Sequence, residues 1–207
     1  MAMCGRECDN GAHVLALACS PRRGGNTDTL LDAALEGAAE ADARVERFHL
    51  CEMRISPCLH CGGCVRTPGR CVVDDDMQRL YEPLRAADRI IIASPVFFMS
   101  VPAQAKAMID RCQPLWVLRA IAHRPVAASR LARAVLYLGA GGAAYPDSFE
   151  GTRLTLRAWY WTLEIVERRE LTFVGIDERG AIRGHPTALD DARRAGRDLA
   201  AWRSDGE

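Results

Sequence analysis

Residues 13–27, HVLALACSPRRGGNT, join an apolar hexapeptide to a Gly/Pro turn and then to a helix opening. The hydrophobic half is continuous rather than alternating, which fits a strand covered on both faces, as in a parallel sheet flanked by helices. Asn26, Thr27 and Asp28 offer capping oxygens, and Leu30, Leu31, Ala34, Leu35 and Ala38 follow at helical spacing. Strand, turn and helix in that order form the first half of a βαβ unit.

The alternation continues along the chain. Strands are expected at 44–50, 89–94, 133–138 and 167–174, with helices from the acidic run Asp74–Asp76 to about 87, and at 103–118, 149–163 and 186–202. The three aspartates sit where a helix dipole favours negative charge, so they read as a cap. Lys106 and Asp110 have i,i+4 spacing. Five strands alternating with helices predict an α/β flavodoxin-like doubly wound parallel sheet, order 2-1-3-4-5, with helices on both faces. Its ligand site lies outside the carboxyl ends of the first and third strands. Residues 1–12 read as a mobile extension, 13–207 as one domain, and 51–73 as a cysteine-rich loop within it.

The chain has 207 residues, 49% apolar and 26% charged, with 27 basic against 27 acidic side chains. That length buries an ordinary core without needing a metal or disulfide for folding. Zero net charge and dispersed basic residues argue against nucleic acid as a partner. No apolar run approaches a membrane span, and residues 1–13 lack a signal-peptide pattern, so a cytoplasmic protein is expected. Lys106 is the sole lysine, a skew assigned to base composition rather than to chemistry.

Nine cysteines do not suit a bland domain: 4, 8, 19, 51, 58, 61, 64, 71 and 112. In a reducing compartment such density points to metal or redox chemistry. Cys58, Cys61, Cys64 and Cys71 form C-x2-C-x2-C-x6-C, a compact thiolate set of the kind that holds an iron–sulfur cluster. Structural zinc, with His60 as a possible ligand, and free redox-active thiols are the alternatives. Cys19, Cys51 and Cys112 lie in or beside regular elements and read as structural.

Three loops fall at strand exits. Ser20, Arg22, Asn26 and Thr27 line a turn where glycines and a helix N-terminus suit a phosphate, although the turn is neither a Walker loop nor GxGxxG. Pro95, Val96, Phe97 and Phe98 offer a flat apolar wall. Gly139, Gly141 and Gly142 leave room for close approach of a ligand. The bland readings are a capped turn, a core aromatic stripe and a plain turn.

Taken together, 20–27, the cysteine loop running into 72–77, 94–98, and Lys106 with Asp110 and Arg111 resemble the iron–sulfur flavoprotein branch of the NADPH-dependent FMN reductase family. The resemblance implies FMN with its phosphate on Ser20, Arg22, Asn26 and Thr27 and its ring between Pro95–Phe98 and Gly139–Gly142. It also implies a [4Fe-4S] cluster on Cys58, Cys61, Cys64 and Cys71. Cys19 stands where glycine is common in the family, and Phe97-Phe98 where tyrosine is frequent.

The expected function is an FMN-dependent redox protein passing electrons between flavin and either a [4Fe-4S] cluster or NAD(P)H and a small or protein acceptor. No side chain is assigned as acid, base or nucleophile. Alternatives are an NAD(P)H-dependent FMN/quinone reductase without a cluster, a non-catalytic carrier serving ferredoxin-like partners, and a flavin-free binding module. A homodimer or homotetramer is expected, because a monomer would expose the cysteine loop. Trp159, Tyr160 and Trp161 are consecutive and cannot all face one core.

Overall fold

The computed structural model describes residues 11–129 and 131–204; most of the expected N-terminal extension, with Cys4 and Cys8, lies outside them. Strands β1 (His13–Ala18), β2 (Arg44–His49), β3 (Arg89–Pro95), β4 (Arg133–Ala140) and β5 (Ile165–Phe173) form one parallel sheet, order β2-β1-β3-β4-β5. The central strands β1, β3 and β4 are buried almost throughout, as their continuous apolar runs require. The edge strand β5 mixes Val166, Glu167, Arg168, Arg169 and Glu170 with buried ends, which discourages edge-to-edge pairing.

Alternate residues of each strand feed two cores. Val14, Ala16, Ile91 and Leu136 pack under α1 (Asn26–Glu40) and the C-terminal helix. Leu15, Leu17, Ile90, Ile92 and Val135 face the helices of the opposite side. In chain order the remaining helices are α2 (Gly63–Arg66), α3 (Gln78–Ala86), α4 (Ala103–Asp110), α5 (Gln113–Ala120), α6 (Glu150–Thr162) and α7 (Ala188–Ala201).

Two expectations need correction. The single helix over 103–118 is two, broken at Arg111 and Cys112, because Pro114 at the start of α5 has no N–H to continue α4. The cap of α1 is Gly25, without a side-chain hydrogen bond; Asp28 instead reaches back to accept the Gly24 N–H at 2.8 Å. Two of the arginines have structural roles. Arg133 donates to the carbonyls of Leu84, Ala87 and Leu163, and Arg89 to those of Leu199 and Trp202, so two buried guanidiniums tie off the ends of α3, α6 and α7. Burial pulls Arg133 down to about 10, with Glu164 and Asp88 opposing, so it stays charged at neutral pH.

Candidate functional site

The exits of β1, β3 and β4 open onto one pocket. Ser20, Arg22, Asn26 and Thr27 line one side, and Pro95, Val96, Phe97, Gly141 and Gly142 the other. At the start of α1 the first-turn amides have no acceptor within the helix, so they are available to an anion. Ser20 Oγ accepts the Arg22 N–H at 3.1 Å, which fixes the turn. Asp28 and His49 lie behind it, the carboxylate Oδ2 4.0 Å from the imidazole Nδ1. Burial first, then Arg47 and Arg23, hold His49 below its ordinary value, so it is neutral at pH 7.

The Asn26 side chain is differently occupied from expectation. Its Nδ2 donates to the Glu178 carbonyl at 2.8 Å and its Oδ1 accepts the Ile182 N–H at 3.3 Å. It therefore staples the phosphate loop to the segment after β5, leaving its backbone as the part that can meet an anion. Arg179 repeats the connection, donating to the Arg23 carbonyl at 2.8 Å. That segment supplies pocket residues the sequence reading missed, Ile176 and Asp177. Gly175, at φ +70°, was the available signal for a turn there. A Cβ at Gly142 would come within 2.9 Å of the Asp177 carboxyl carbon, so glycine at this position lets the two exit loops close on each other.

Two other assigned residues lie away from the pocket wall. Gly139 belongs to β4, and a Cβ there would stand 2.6 Å from Tyr137 Oη, so it serves packing in the core. Phe98 is fully exposed, at the tip of a turn closed by Phe97 N–H to Ser100 O (2.8 Å) and Ser100 N–H to Phe97 O (3.0 Å). Phe98 and Met99 both have positive φ, 49° and 61°, a conformation normally left to Asn-Gly. Gly151 of α6 presses on the Met99 carbonyl, leaving no room for a Cβ, and so holds the strained turn from behind.

A second cavity, of about 190 Å³, is lined by Cys58, Cys61, Cys64 and Cys71 with His60, Arg111 and Trp116. Gly62, at φ +70°, caps α2 and turns the chain between the second and third cysteines. Burial raises the Cys64 thiol, and charge on Cys58, Cys71 and Cys61 adds to the rise. Burial also raises Tyr81, with Cys71 contributing. Among the described residues no three His, Cys, Asp or Glu side chains are grouped as they would be around a single ion.

Asp74–Asp76 do more than cap a helix, which begins only at Gln78. Asp75 meets Arg111 in a two-pronged pair, 2.6 and 3.1 Å, and accepts the Ser56 N–H at 2.9 Å. Asp76 accepts the Arg54 N–H at 2.8 Å. Together they clasp both ends of the cysteine loop. Burial works to raise Asp75, but Arg111 and the amides of Ser56 and Met77 hold it below its ordinary value. The pair accounts for both Nη atoms of Arg111, which also donate to the Ser56 and Val73 carbonyls. Its Nε is buried without a partner. Four cysteines line one cavity, and Arg111, whose buried Nε–H is unanswered, is a lining residue of the same cavity; soft donors of this kind fit a sulfur-rich cluster.

Of the consecutive aromatics, Trp159 and Tyr160 are buried, whereas Trp161 is 44% exposed beneath the Arg119 guanidinium. Among the described residues no helix is long and apolar enough to cross a membrane.

Residues 12–146 match the family model for NADPH-dependent FMN reductase. An iron–sulfur flavoprotein of Methanosarcina thermophila is 42% identical over 98 residues, 47% of this chain and 51% of that protein. Another, from Archaeoglobus fulgidus, is 36% identical over 142 residues, 68% of this chain and 60% of that protein. The chain thus spans about half to three fifths of these relatives' length. Among solved structures, an NAD(P)H:quinone oxidoreductase from Methanothermobacter marburgensis superposes with a TM-score of 0.73 at 20% identity, covering 93% of this chain and 98% of that one. An FMN-dependent NADH-azoreductase of Bacillus anthracis in complex with FMN gives 0.64 at 14% identity, covering 91% and 99%. At such identities the likeness concerns the fold.

Proposed function

The chain belongs to the NADPH-dependent FMN reductase family, and on that footing we propose that it is an FMN-dependent oxidoreductase passing electrons between its flavin and a [4Fe-4S] cluster held by Cys58, Cys61, Cys64 and Cys71. The observation that carries the cluster half is that all four cysteines line one cavity. Names of relatives, iron–sulfur flavoproteins, support it.

When bound, FMN exchanges one or two electrons and the cluster one. The residues of this chain position and insulate. First-turn amides of α1 and the Arg22 guanidinium would hold the phosphate, while Ser20 fixes the turn that presents them. Pro95, Val96 and Phe97 face Gly141 and Gly142 across a slot suited to a flat ring. Asp177 adds a carboxylate to the wall that the β5 exit loop supplies, an acceptor suited to hydroxyl groups. The Asp75–Arg111 clasp keeps the cysteine loop ordered.

An oligomer, a homodimer or homotetramer, is part of this reading. Leu59, Val65 and Val72 flank the cysteines and are 72%, 53% and 60% exposed, a surface suited to cover by another subunit. NAD(P)H or a ferredoxin-like protein would be the donor, and a small molecule the acceptor.

Anaerobic purification followed by flavin, iron and sulfide analysis tests the proposal. About one FMN with about four irons and four sulfides per chain is expected for this cluster type. FMN without iron would refute the cluster half and leave an NAD(P)H-dependent FMN/quinone reductase, to be checked by reduction of the bound flavin with NADPH and NADH; the M. marburgensis structure is named an NAD(P)H:quinone oxidoreductase.

A further inference from the structure

We propose that Arg111 is a positioning residue for the cluster, its Nε–H donating a hydrogen bond to the Cys71 sulfur; the inference rests on the cluster reading above.

The side chain of Arg111 is 1% exposed, and its guanidinium is a rigid planar fork with five donors. Structural duties account for one edge. Nη1 and Nη2 bind the Asp75 carboxylate and the carbonyls of Ser56 and Val73. Those bonds fix the plane of the fork and therefore the direction of Nε–H, which is buried and meets no acceptor. A buried charged donor left without an acceptor is costly, so an orphan in so well-paired a group asks for its acceptor.

The cavity supplies one. Arg111 is part of the wall that also carries the four cysteines. Cys71 is the cysteine closest in sequence to the arginine's own anchor, since Nη2 donates to the Val73 carbonyl two residues further on, and both residues line the cavity. The Tyr81 hydroxyl is committed elsewhere, donating to the Arg111 carbonyl at 2.8 Å. This leaves the arginine as the charged donor on that side. An N–H···S bond favours the more negative, reduced form of a cluster and raises its potential. The break between α4 and α5 then has a functional correlate, since it sets Arg111 at the end of one helix and the cavity wall of Gln113, Trp116 and Val117 on the next.

The experiment uses the full-length chain, isolated anaerobically, iron-loaded and labelled with ¹⁵N-arginine. Pulsed EPR of the reduced cluster is expected to show a ¹⁵N coupling that Arg111→Lys abolishes while retaining four irons. The same variant should hold the electron about tenfold less tightly, about 59 mV lower for a one-electron couple. A purely structural arginine would change neither reading. Absence of coupling in the wild type, or an unchanged potential in a loaded Arg111→Lys protein, overturns the proposal. Should that variant fail to fold, Arg54→Lys/Arg66→Lys/Arg70→Lys removes the arginines of the loop instead: a retained coupling supports Arg111 and a lost one overturns it. A wild-type chain that takes up no iron fails at the earlier step, the cluster reading itself, and takes this inference with it.

Discussion

Replacing Asp75 with Asn probes the clasp of the cysteine loop. The carboxylate is 9% exposed and its arginine partner 1%, so the substitution leaves a buried guanidinium without its counter-charge. Removing one partner of a buried pair costs about 3–5 kcal/mol. Asn keeps one oxygen for the amide of Ser56 or Met77, which places the expected loss near the lower end, about 3 kcal/mol. With a urea slope of roughly 2 kcal/mol/M, the unfolding midpoint of iron-free protein should fall by about 1.5 M. Asp74→Asn, at an exposed position, should stay within about 0.5 kcal/mol of wild type. The pH dependence follows from the depressed native pKa of Asp75. The pair stabilises the fold above the unfolded carboxylate value of about 3.9 and loses that contribution as pH falls through the lower native value. The gap between wild type and Asp75→Asn should therefore be full at pH 7 and close below about pH 4. A variant midpoint within about 0.5 M of wild type at pH 7, roughly 1 kcal/mol, would show that the pair is decorative.

Asn26→Ala should destabilise by roughly 1–3 kcal/mol, because it strands the Ile182 N–H and Glu178 carbonyl, and should also weaken FMN binding measured by fluorescence quenching. Unchanged affinity and midpoint would remove the staple from the account. Phe98→Asn/Met99→Gly relieves two positive-φ residues and should stabilise by about 1–2 kcal/mol, raising the melting temperature by roughly 2–8 °C; a lower melting temperature would contradict the strain argument. The Cys112 thiol, pushed up to about 12 by burial although Trp159 Nε1–H donates to it at 3.3 Å, should resist iodoacetamide in the native protein at pH 8. Cys61 is exposed and should react readily in iron-free protein, so equal labelling of the two by mass spectrometry would refute that contrast.

The sheet was legible because the apolar runs of β1, β3 and β4 are continuous and their exits are marked by Pro and Gly. The four clustered cysteines were legible from spacing alone. What escaped was long-range. Nothing near Asp75 announces Arg111, 36 positions on, so three acidic residues before a helix read as a cap although one of them binds a buried cation. The helix break at Arg111–Cys112 was hidden by an i,i+4 pair, Lys106 and Asp110, that does form at 2.8 Å and ends just before it. Asn26 was read from its neighbours as a phosphate donor, and its actual partners lie near the other end of the chain. Phe98 was placed on the pocket by its position at the exit of the third strand, whereas it has positive φ and is fully exposed.

The Asn26 staple also dictates when the pocket can exist during synthesis. Its two bonds join residues 152 and 156 positions apart, so the anion cradle is made early and the segment that staples it, with the Ile176 and Asp177 part of the wall, arrives with the last quarter of the chain. At about 5–20 residues per second, translation leaves the cradle half-built for roughly 8–30 s. FMN capture on a ribosome-bound chain would then report that β5 has emerged and docked, making cofactor uptake a timer for completion of the protein.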